Sequence, residues 1–260
     1  AAVTNNSTGV AGTAFNAKVV PVRVLGKCGG YTSDIADAIV WASGGTVSGV
    51  PANANPAEVI NMSLGGGGSC STTYQNAING AVGRGTTVVV AAGNSNTNVS
   101  SSVPANCANV IAVAATTSTG ARASFSNYGA GIDISAPGQA ILSTLNSGTT
   151  VPASASYASY NGTSMAAPHV AGVVALMQAV APSPLSPAQV ETIIKNTARA
   201  LPGACSGGCG AGIVNADAAV SAALNGGGGT PPPGSGTVLQ NNVGVTNLGA
   251  ASGTALNYTL

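Results

Sequence analysis

The sequence predicts a three-layer α/β domain with a mostly parallel sheet. Runs such as residues 59–62 and 87–91 are apolar at consecutive positions instead of alternating, as strands buried on both faces are. Stretches with helical apolar spacing separate these runs, and strands joined through helices pair in parallel. Taken in order, the Val-rich run 18–25 reads as a strand and 33–43 as a helix, with Asp34 in a first turn that favours carboxylates. The apolar run 59–62 is the next strand, and 71–84, opened by Ser71, is the next helix. Strands are expected at 87–91, 110–114, 132–134 and 140–144, short apolar runs set among Gly, Asn and Pro. Helices follow at 164–180, 187–199, led by Pro187, and 215–224, led by Asn215. Functional loops of such a sheet gather at the carboxyl ends of its strands.

Composition narrows the function classes. A chain of 260 residues can hold one full-sized core, and with 5% charged residues its surface must be polar but mostly uncharged. That habit suits a secreted, extracellular protein. A net charge of +1 provides no electrostatic footprint for nucleic acid or an anionic membrane. No apolar stretch is expected to reach membrane-spanning length, and no basic-then-apolar signal peptide begins the chain. Five cysteines point to an oxidising compartment and leave one without an internal partner. Cys205 and Cys209, flanking Ser-Gly-Gly, suit a tight disulfide loop, or a zinc site if a second ligand pair accompanied them; Cys70 and Cys107 fall in loops that a bridge can join, which leaves Cys28 over.

Three motifs carry chemistry. Asn161-Gly-Thr-Ser-Met-Ala-Ala-Pro-His-Val-Ala-Gly-Val-Val-Ala-Leu176 sets Ser164 on a glycine-led turn at the start of an apolar helix, where unpaired backbone N–H groups stabilise developing negative charge. Gly162, Ala166 and Ala167 leave room for a substrate. The string closely resembles the nucleophile segment of the subtilisin-like serine proteases, the subtilases of peptidase family S8. The resemblance implies the three-layer subtilisin-like fold, an acyl-enzyme on Ser164 and peptide or ester substrates. Thr87-Val-Val-Val-Ala-Ala-Gly-Asn94 ends a strand on a side-chain amide, and by resemblance Asn94 donates to the oxyanion beside the Ser164 N–H. Asn61-Met-Ser-Leu-Gly65 resembles the family strand that pairs with substrate. It implies one cleft wall of Ser63, Leu64 and Gly65, another of Gly29 and Gly30, and a first specificity pocket bordered by Ala91, Ala92 and Gly93. Thr4-Asn-Asn-Ser-Thr-Gly-Val10 resembles the family's structural calcium loop, with Thr4, Asn6, Thr8 and Val10 as ligands; calcium wants six to eight oxygens, so this neutral partial set is expected to bind weakly or not at all.

A triad needs an imidazole and a carboxylate. The one histidine, His169, lies five residues past Ser164 on the same expected helix, about 140° around its axis, and reads as structural. The resemblance therefore implies that the Asp- and His-bearing segments precede the part matching Ala1 onward, as an N-terminal fragment that also holds the partner of Cys28. Residues 1–225 read as the nucleophile-bearing catalytic domain and 226–236 as a Gly/Pro linker. Residues 237–260 resemble the opening of the β-sandwich, pre-peptidase C-terminal-type domains behind secreted bacterial peptidases. Two strand-like runs there are too few for a sandwich and are expected to pair with a second copy or with an edge of the main sheet. The expected function is a serine hydrolase, an endopeptidase when complete; the alternatives are weak esterase activity on activated esters, or peptide binding and assembly without turnover.

Overall fold

The computed structural model describes residues 1–226 and 255–257. Its elements are β1 (Lys18–Val19), α1 (Thr32–Ala42), β2 (Val59–Met62), β3 (Gly66–Gly67), α2 (Thr72–Gly83), β4 (Thr87–Ala91), β5 (Ser102–Val103), β6 (Ile111–Thr116) and β7 (Ile134–Pro137). Then come β8 (Ile141–Asn146), β9 (Ala155–Tyr160), α3 (Thr163–Val180), α4 (Pro187–Asn196), α5 (Ala216–Leu224) and β10 (Ala255–Asn257). The central sheet runs β1-β10-β2-β4-β6-β7, with every pairing parallel.

Continuous apolar runs are explained by what lies on each face. Val59, Val89, Ile111 and Val113 pack in one core with α3, α4 and α5, while Ile60, Met62, Val88, Val90 and Ala112 pack in another with α1 and α2. Successive strand residues point to opposite faces, so both must be apolar. Helix α3 is the middle of the first core: Val170, Ala171, Gly172, Val173, Val174 and Ala175 are all buried in succession.

Four expectations need correction. The run 18–25 keeps ladder pairing only at Lys18–Val19; Pro21, which has no N–H to donate, follows, and Val22 and Val24 instead line an apolar cleft with Ile35 and Ile39 of α1 and Met62 and Leu64. The strand expected at 132–134 begins at Ile134, because the Asp133 carboxylate accepts the Ala112 N–H and replaces a ladder bond. The run 140–144 leaves the parallel sheet and forms the β8–β9 antiparallel hairpin, whose second strand, Ala-Ser-Tyr-Ala-Ser-Tyr, has too little apolar character to announce itself. Helix α3, at 18 residues, has the length and apolar composition to cross a membrane, although none was expected; it is a core helix.

Cys70–Cys107 and Cys205–Cys209 are disulfides, which closes the zinc alternative, and Cys28 is free and exposed. Of the tail, Ala255–Asn257 forms β10 inside the main sheet, with Lys18 opposite Ala255 and Val59 opposite Leu256, rather than along an edge. The linker 226–236, past Gly226, and the rest of 237–260 lie outside the described residues.

Candidate active site

Helix α3 is preceded by Gly162, which supplies no side-chain cap; the Met165 N–H bonds the Gly162 carbonyl, and the Thr163 and Ser164 N–H groups are left to partners outside the helix. Thr163 bonds across to the end of β4. Its N–H and its hydroxyl both donate to Asn94 Oδ1, at 2.8 and 2.9 Å, while the hydroxyl accepts the Gly93 N–H at 3.0 Å. An oxygen held this way fixes which end of the amide is which, and Nδ2 is left as the donor end. A methyl group placed on Gly162 would sit 3.5 Å from the Ser164 backbone nitrogen and 3.6 Å from Asn94 Nδ2. The two donors therefore border one small space beside Ser164.

The loop carrying Asn94 is itself anchored. Buried Asn127 accepts the N–H groups of Ser95 and Thr97 and donates to the Ala92 carbonyl and to Ser102 Oγ. Gly93 lies at φ 103°, and a Cβ there would collide with Asn127 Nδ2, so the chain needs glycine at this turn.

Ser63 meets the Ser164 turn directly. Ser63 Oγ donates to the Ser164 carbonyl at 2.8 Å, and Ser164 Oγ donates to the Ser63 carbonyl at 3.3 Å. His169 stays apart from this chemistry: Nδ1 donates to the Met165 carbonyl at 2.8 Å, one turn back on α3. Ala91 and Ala92 are buried in opposite cores, so only their main chain can border a pocket. Gly65 lies close to the Val103 carbonyl. Gly29 closes a tight bridge with Gly26, and Gly30 backs onto the Val24 carbonyl, whose residue shares the apolar cleft with Leu64. The structure thus brings Ser63, Gly93, Asn94 and Ser164 together, and leaves Gly29 and Gly30 on an exposed turn.

In the loop 4–10 some of the oxygens are engaged within the loop itself. Asn5, Ser7 and Gly9 alternate into left-handed conformation, but Asn6 Oδ1 already accepts the Thr8 N–H and the Asn6 carbonyl accepts the Thr8 hydroxyl. Thr4, Asn6, Thr8 and Val10 do not make a calcium cage alone, since six to eight oxygens are required and no carboxylate lies in the loop. Among the described residues no group of three or more His, Cys, Asp and Glu converges on a metal position.

The model of the subtilase family matches residues 1–212. The chain belongs to the subtilase family. An extracellular protease of Xanthomonas campestris pv. campestris is 80% identical to this subtilase over 260 residues, all of this chain and 45% of that protein. An extracellular basic protease of Dichelobacter nodosus is 52% identical over 227 residues, 86% of this chain and 38% of its own length. The chain thus spans less than half of either curated relative. A solved protease from Pseudoalteromonas arctica superposes with a TM-score of 0.83 at 59% identity, covering 86% of this chain and 68% of its own. The mostly parallel α/β fold of this subtilase is the subtilisin-like one. Motifs announced Ser164 and Asn94; nothing local announced Thr163 or Asn127 as their supports.

Proposed function

We propose that this subtilase is the nucleophile-bearing part of a secreted serine endopeptidase that works through an acyl-enzyme on Ser164. One observation carries the reading: a backbone donor and a fixed amide donor border the same space beside a helix-start serine. Ser164 Oγ bonds to the substrate carbonyl carbon, the π pair moves onto oxygen, and the Ser164 N–H and Asn94 Nδ2 bind that oxyanion. The serine proton must go to a base. Within these 260 residues its acceptor is the Ser63 carbonyl, an amide oxygen that takes no proton, and the one histidine is bonded to its own helix. Base and orienter therefore come from residues outside this sequence, as would the further oxygens for calcium. Residues 1–225 are assigned to the catalytic domain and 226–236 to a linker, while Ala255–Asn257 of the segment 237–260 joins the central sheet of that domain. Secretion is supported by the two disulfides and by relatives named as extracellular proteases.

General-base help is typically worth about 10²–10⁴-fold, whereas oxyanion binding alone retains roughly 10³–10⁴-fold over water, a figure established on a subtilisin. This chain is therefore expected to be acylated by a p-nitrophenyl ester at Ser164 and to leave protein substrates intact. Assaying both substrates with the wild type and Ser164→Ala tests it: equal ester rates in the two would leave peptide binding without turnover as the function.

A further inference from the structure

In an α-helix each N–H bonds the carbonyl four residues earlier. Pro168 lies inside α3 and has no N–H, so the carbonyl of Ser164 receives nothing from it. The donor found there is Ser63 Oγ, at 2.8 Å, from just beyond β2. That hydroxyl accepts from Asn61 Nδ2 at 2.9 Å, which directs its single proton to Ser164. The reverse bond, Ser164 Oγ to the Ser63 carbonyl, closes the pair between residues 101 positions apart.

We propose that Ser63 is a positioning residue for the nucleophile, its hydroxyl standing in for the N–H that Pro168 lacks. The proposal rests on Ser164 being the nucleophile. A helix start relieved of one internal bond is free to shift, and a serine that shifts loses its aim at a carbonyl carbon. Ser63 ties that start to the end of β2 by a bond to the main chain of Ser164, so its effect falls on the rate of attack rather than on binding. Its side chain thus has a task separate from the cleft wall that its backbone would form. The Asn61 amide keeps the hydroxyl from turning away. Pro168 explains why this donor is needed at Ser164 in particular.

The test is single-turnover acylation of Ser164 by p-nitrophenyl acetate, followed by mass spectrometry of the labelled chain and by thermal unfolding. A neutral hydrogen bond is worth about 0.5–1.5 kcal/mol, so Ser63→Ala is expected to slow acylation about threefold to tenfold with the ester concentration at half-saturation unchanged. Ser63→Thr, which keeps the hydroxyl, should restore the rate. In a Pro168→Ala background the helix regains its own donor, and Ser63→Ala should then slow acylation less than about twofold, a coupling that a double-mutant cycle reads directly. If Ser63→Ala does not fold, Ser63→Cys, with its weak S–H donor, takes its place in the same cycle. Wild-type rates in the Ser63 variant, or an equal slowing in both backgrounds, would overturn the proposal while leaving Ser164 as nucleophile. Wild type labelled no faster than Ser164→Ala would remove the nucleophile reading itself, and the positioning role with it.

Discussion

Thr163 aims its backbone N–H and its hydroxyl at one atom, Asn94 Oδ1, so a neighbour of Ser164, the proposed nucleophile, decides where the proposed oxyanion donor points. Removing that donor is expected to lower ester acylation of Ser164 about 10²–10³-fold in Asn94→Ala, the scale known for a side-chain donor in a subtilisin. Thr163→Val keeps the N–H bond and loses only the hydroxyl, so a drop of about threefold to tenfold is expected in the same single-turnover measurement. A Thr163→Val chain as slow as Asn94→Ala would mean that the hydroxyl alone orients the amide. Ser164 and Asn94 were legible because each ends or opens an apolar run. The supports were not: Asn127 reads as one more turn residue in Ser-Asn-Tyr, yet its Nδ2 reaches the carbonyl of Ala92, 35 residues away. Cross-chain partners leave no mark on local sequence.

Among the elements, α4 shows how much a few end residues decide. Ser186 caps it, Gln189 returns the bond, and Pro187 fills the first turn, so its start was readable; its end falls three residues short of 199, where the Thr197 N–H and hydroxyl both close on the Ile193 carbonyl. Ser186→Ala is expected to lower unfolding free energy by about 0.5–2 kcal/mol with acylation of Ser164 unchanged, as urea titration beside the ester assay will show. A slower acylation would tie α4 to the site. Strands β2 and β4 matched their apolar runs to the residue because both faces are buried there. The β8–β9 hairpin escaped notice for the opposite reason: Leu142, Tyr157 and Tyr160 are exposed, and neither strand has a buried face to impose a pattern. The Cys70–Cys107 bridge spans 37 residues and is expected to add about 3–4 kcal/mol by restricting the unfolded chain, read as the shift of the urea midpoint in the Cys70→Ser, Cys107→Ser double variant, which keeps Cys205–Cys209.

For the molecule as a whole, sparse charge makes the pH response simple. Lys195 bonds both Asp133 and Glu191. The partners Asp133 and Lys195 shift the same way for opposite reasons. Burial holds the Asp133 carboxyl above its ordinary range, outweighing the Ala112 N–H and the ammonium, whereas the bond to Asp133 raises Lys195 above the usual 10.5. In both cases the folded protein holds its proton more tightly than the unfolded one. Stability is therefore expected to fall as pH rises through the carboxylate range, level off, and fall again as pH rises from the usual lysine value through the raised Lys195 value, with Asp133→Asn flattening the acid limb. Unfolding free energies that rise through the acid limb, unaltered in Asp133→Asn, would contradict it. Ser164, the proposed nucleophile, sits on the helix whose middle turns are the heart of one core. Such amides exchange with solvent only through global opening, so those of Val170 to Ala175 should be the slowest in the chain. Denaturant then has no partial setting for this serine: its reactivity and the cooperative fold disappear in a single step.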